Sequence, residues 1–98
     1  MFLKRRKAKV APRYIEARSF YGFGFHIIDT SLHGVDGREG LCGVANALPA
    51  SSVREVTREN VIETWDKQHE SWHWCRGCVG ALFEIPGHEV TLENLKNR

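Results

Sequence analysis

Trp72-His73-Trp74-Cys75-Arg76-Gly77-Cys78 is the stretch on which the fold turns. Two thiols stand three apart, a histidine lies two before the first, and two tryptophans interleave. The spacing suits two ligands of one metal ion, because a tight local turn aims both sulfurs at a point about 2.3 Å away. It also suits a redox dithiol. The residues around it decide between the two.

The chain has three cysteines in 98 residues. A disulfide framework would leave one thiol over. The start, Met1-Phe2-Leu3 followed by Lys4-Arg5-Arg6-Lys7, lacks the apolar stretch of a secretory signal, so a reducing, cytoplasmic setting is expected. No apolar run approaches the ~20 residues of a membrane span. In a reducing compartment, thiols grouped with histidines read as metal ligands. Cys42 in Leu41-Cys42-Gly43 strengthens that reading. A glycine after a ligand cysteine lets backbone N–H groups turn toward sulfur. Cys42, Cys75 and Cys78 plus one histidine make a closed Cys3His set, the composition of a structural Zn²⁺ site. The bland competitor is three unrelated core thiols, since free cysteine packs as a small hydrophobe. A dithiol oxidoreductase sets its pair at a helix start after a strand, within a larger sheet than this sequence offers.

The aromatic, β-branched run Gly24-Phe25-His26-Ile27-Ile28-Asp29 predicts a strand. Asp36-Gly37 signals a hairpin turn, and 40–45 is the expected returning strand. In that register His33 is a diagonal neighbour of Cys42, at roughly 7–8 Å, so His33 is the first choice for the fourth ligand. His26 is the second and His73 the third. His69, on the apolar face of the next helix, reads as a packed core residue, and His88 as a loop residue.

That helix is predicted over 58–69. Thr57 is a good N-cap, Glu59 suits the first turn, and Val61, Ile62, Trp65 and His69 share one face. Val90-Thr91-Leu92-Glu93-Asn94-Leu95 repeats the Val56-Thr57 pattern and reads as the same capping solution used twice. Trp72 and Trp74 point to one side of an extended piece and read as core around the metal site, in preference to an exposed stacking surface.

The formal charge of +2 hides an asymmetry. Residues 1–18 carry Lys4, Arg5, Arg6, Lys7, Lys9, Arg13 and Arg18 against Glu16 alone, a balance of +6; the other eighty balance at −4. Residues 1–13 therefore read as a flexible basic arm on a single zinc-binding domain, 14–98. Lys4, Arg5, Arg6, Lys7, Lys9 and Arg13 are the nucleic-acid-binding candidates. A solvated terminus explains them equally well.

The order histidine, Leu41-Cys42-Gly43, then Trp74-Cys75-Arg76-Gly77-Cys78-Val79-Gly80-Ala81-Leu82 resembles the small zinc-finger-like proteins common in actinobacteria and their phages, which carry a His…LCG…CxxC…AL pattern. The similarity covers about residues 26–83. It differs by the 58–69 helix inserted between Cys42 and the cysteine pair. The resemblance implies zinc and a viral or actinobacterial setting, but no biochemical role, since most of those proteins have none assigned.

No phosphate loop, nucleophile elbow or His-Glu-x-x-His helix is present. The expectation is a small zinc-stapled α+β domain with a β-hairpin, one main helix and a CxxC knuckle. Its expected role is a non-enzymatic module that docks onto a host or cellular protein. Nucleic-acid binding through the arm is the alternative. A metal-dependent enzyme is third and would require an open, water-occupied metal position.

Overall fold

The computed structural model describes residues 12–19, 24–45, 47, 54–70 and 72–98. Lys4 to Lys9 of the expected arm lie outside these residues, as do Phe20, Tyr21 and Phe23. The fold is α+β, as expected: among the described residues, a three-stranded mixed sheet with four short helices.

The central strand is β2 (Gly24–Asp29). It pairs antiparallel with β1 (Tyr14–Arg18), with Ala17 opposite His26 and Ile15 opposite Ile28. Its other edge pairs parallel with the two-residue β3 (His73–Trp74). Alternation sends side chains to opposite faces. Ile27 joins the main core with Val61, Trp74, Val79, Phe83 and Leu95. Ile28 packs on the other face with Ile15, Ala17 and Ala47. The outer edge of β1 is covered as well. Val56 donates its N–H to Tyr14 (2.8 Å), and Ile15 bridges Glu55.

The expected hairpin between 24–29 and 40–45 does not form; β2 pairs with the segment before it. Asp29 is the reason. Its carboxylate accepts from the Ser31 N–H (3.0 Å) and hydroxyl (2.6 Å) and so caps a one-turn helix, α1 (Thr30–His33). Gly34, at φ +72°, then ends that turn. Asp36 does sit in a turn, but the turn does not join two strands.

The capping expectation holds twice. Thr57 caps α2 (Arg58–Thr64) by accepting from the Asn60 N–H, and the Asn60 side chain accepts from the Thr57 N–H. The helix tightens to a 3₁₀ turn over Trp65–Lys67. Thr91 caps α4 (Leu92–Lys96) by accepting from the Asn94 N–H at 3.2 Å. His69, expected in the core, is exposed beyond the end of the turn. His88 is exposed in a 3₁₀ turn, Gly87–Glu89.

The cysteine pair is not a free knuckle. Cys75 is the N-cap residue of α3 (Arg76–Phe83), and Cys78 lies in that helix's first turn. Trp74 is 4% exposed, and its indole N–H donates to the Thr64 hydroxyl at 3.0 Å. Trp72 stands edge-on to it, with centroids 5.4 Å apart. Trp74 is therefore core material, as expected, while Trp72 and Trp65 are partly buried against that core.

Candidate metal centre

The site is assembled along one edge of β2. The carbonyls of Phe25 and Ile27 flank His26 in sequence. Phe25 accepts from the Cys75 N–H (2.9 Å), and Ile27 accepts from the Leu41 N–H (2.8 Å). Two backbone bonds thus draw the Cys75 segment and the Cys42 segment to the strand that carries His26.

Cys42 sits in a compact turn. Gly40 donates to the Val44 carbonyl (2.8 Å), and Gly43 donates to Gly40 (2.9 Å). Gly43 has φ +98°, the conformation that glycine adopts without strain. The turn presses Cys42 against α3. A Cβ added at Gly77 would lie 2.9 Å from the Cys42 Cβ. The knuckle-like turn is therefore at Cys42, and the CxxC pair uses a helix start.

The ligand atoms of His26, Cys42, Cys75 and Cys78 all lie within 4.8 Å of one another, close enough to hold one metal ion. Among the described residues no second His/Cys/Asp/Glu group of this kind occurs. His26 Nδ1 is 3.6 Å from the Cys42 sulfur and 3.6 Å from the Cys78 sulfur. All three cysteines are free thiols. Cys78 is fully buried, Cys75 half-buried and Cys42 exposed.

The thiols are electrostatically unequal. The Cys78 thiol donates to Cys75, which lowers the Cys75 pKa to about 4; burial opposes this, while the Cys78 backbone N–H, Cys42 and His26 add to it. Cys78 is pushed up, first by that donated bond and then by burial, although backbone groups of Ile27 and Cys42 point at its sulfur. Cys75 and Cys78 therefore share one proton, held on Cys78. A bound cation reverses this preference, because it favours thiolate at every ligand sulfur.

The three cysteines come together as the sequence suggested, but the histidine beside them is His26 and not His33. His33 lies on α1, where its Nε2 is 3.8 Å from Glu39. The diagonal relation that favoured it required a β-hairpin, and α1 replaces that strand. His73 is exposed, with its ring against Gly24 and Nδ1 3.4 Å from the His69 carbonyl. Arg13, placed with the arm's nucleic-acid contacts, pairs with Asp29 at 3.2 Å and lies over the Tyr14 ring. His26 and Cys75 open onto a cleft of about 850 Å³, lined also by Trp65, His69, His73 and Arg76. No sequence pattern marks this cleft, because its lining comes from four separate segments.

Among the described residues no helix is long and apolar enough to cross a membrane. No family model, curated protein or solved structure matches the chain.

Proposed function

We propose that the chain is a structural Zn²⁺-binding domain, with His26, Cys42, Cys75 and Cys78 as ligands, that acts as a protein-interaction module. The pair of 3.6 Å distances from His26 Nδ1 to two sulfurs carries the metal reading. Atoms about 2.3 Å (S) and 2.0–2.1 Å (N) from one tetrahedral centre lie roughly 3.6 Å apart. One ring nitrogen makes one good hydrogen bond at a time, whereas the four ligand atoms converge, all within 4.8 Å of one another. A thiolate-rich tetrahedral set favours zinc among common divalent ions. Four protein ligands fill the tetrahedron, which favours a structural over a catalytic ion.

Native mass spectrometry should find one zinc per chain, and a chelator should lower the melting temperature. A metal-free chain whose melting ignores the chelator would refute the proposal. The interaction role is supported by the cleft beside the metal, where Trp65 and His73 offer the mixed aromatic and polar surface common at interfaces. Capture from lysate by the native protein but not by Trp65→Glu is the expected result. Nucleic-acid binding through residues 1–11 is the second reading, motivated by their charge. It predicts affinity that falls steeply with salt and vanishes when those residues are deleted.

A further inference from the structure

The three sulfurs differ in access, and this difference has a chemical consequence. Cys75 is half-buried and lines the cleft beside β3, so a small solute reaches it. Cys78 has no exposed surface and sits one helical turn on, inside the same sulfur cluster. Cys42 is more exposed still but does not line that cleft, so within the helix-start pair the cleft leads to one sulfur while the other meets only its neighbours. The pair also follows a strand and opens a helix, the local setting of dithiol redox sites. What distinguishes it here is that the same two sulfurs are half of a proposed metal site.

We propose that Cys75 is a peroxide-reactive site, resolved by Cys78, whose oxidation expels the metal. This rests on the zinc reading above for the expulsion but not for the thiol chemistry. In the first step the Cys75 thiolate attacks one oxygen of a hydroperoxide. An S–O bond forms, the O–O bond breaks, and the other oxygen leaves as hydroxide. In the second, the Cys78 sulfur attacks the Cys75 sulfur; an S–S bond forms, the S–O bond breaks, and the hydroxyl leaves with the Cys78 proton as water. The two sulfurs give up two electrons and the peroxide takes both. His26 and Cys42 alone then face the ion, which departs.

Arg76 makes the test decisive, because trypsin cuts between the two cysteines. Cys75 falls in peptide 68–76, Cys78 in 77–96 and Cys42 in 39–54. The full-length protein as isolated is assayed for metal, treated with equimolar hydrogen peroxide beside a chromogenic chelator, alkylated, and digested without reduction. The expected result is one zinc released per disulfide, peptides 68–76 and 77–96 joined, and Cys42 alkylated. Cys42→Ser should still form the same bridge. A bridge that includes Cys42, a sulfinate on Cys75, or metal loss with Cys75 and Cys78 both alkylated would overturn the inference. Protein isolated without metal would sink the zinc reading, while the peptide map still decides the thiol chemistry.

Discussion

His26 and His33 separate most sharply at the level of the single residue. His26 stands within reach of two sulfurs, whereas His33 stands beside Glu39. His26→Ala should therefore weaken zinc binding by more than the roughly 10–100-fold that loss of an outer-shell partner costs. His33→Ala should leave one zinc per chain, and competition against a metallochromic chelator reads both. Gly77 offers a second test with opposing terms. Alanine in a helix interior gains about 1 kcal/mol over glycine from backbone entropy. Here the added carbon would meet the Cys42 Cβ at 2.9 Å, and that Cβ is held close to its backbone. Gly77→Ala should lower the urea midpoint of the metal-loaded protein despite the helix gain. At this scale the cysteines were legible because residue type alone nominates them. The histidine was not, because its choice depended on which strand pairs with which.

Elements were legible where the signal was local. Val56-Thr57 and Val90-Thr91 announce caps that form as read, since Asn60 and Asn94 donate to a hydroxyl only three residues back. The α2 helix is seven residues long, so its stability comes mostly from packing, and the cap adds to it. Thr57→Ala should cost about 1 kcal/mol, measured by chemical denaturation. Asp36-Gly37 misled because a turn signal says nothing of its partners, and Asp29 had a nearer use for its carboxylate. That use has a pH signature. The Asp29 carboxyl is held below its ordinary value of 3.8, first by the Ser31 hydroxyl and then by Arg13, against burial. A depressed folded pKa stabilises above the unfolded value and is lost as the pH falls through the folded one. Stability should thus decline below about pH 4, and Asp29→Asn should flatten that decline in acid melts. Burial raises Glu16, which works with the opposite sign and softens the loss without cancelling the capping bonds.

Across the whole molecule, the parallel pairing of β2 with β3 and the gathering of ligands from three segments were beyond sequence patterns, since nothing local specifies either. On the proposed reading, a bound ion would cross-link β2, the Cys42 turn and α3. Apparent zinc affinities of structural sites, about 10–16 kcal/mol, rival the 5–15 kcal/mol stability of a whole domain. Chelation should therefore lower the melting temperature by a large margin, as followed by tryptophan fluorescence. Returning zinc at pH 7 should release protons, with Cys78 a principal source because it holds the pair's proton in the free site. Calorimetry in buffers of different ionisation enthalpy measures that release. His26 and Cys78 stand 52 residues apart, and this separation bears on how the protein is made. A growing chain presents His26 and Cys42 long before the paired thiols leave the ribosome. It passes through synthesis with half a chelate, too weak to retain an ion against competing cellular ligands. On the proposed metal reading, the complete site would exist only after Cys78 has joined the chain, so capture would come late and in one step.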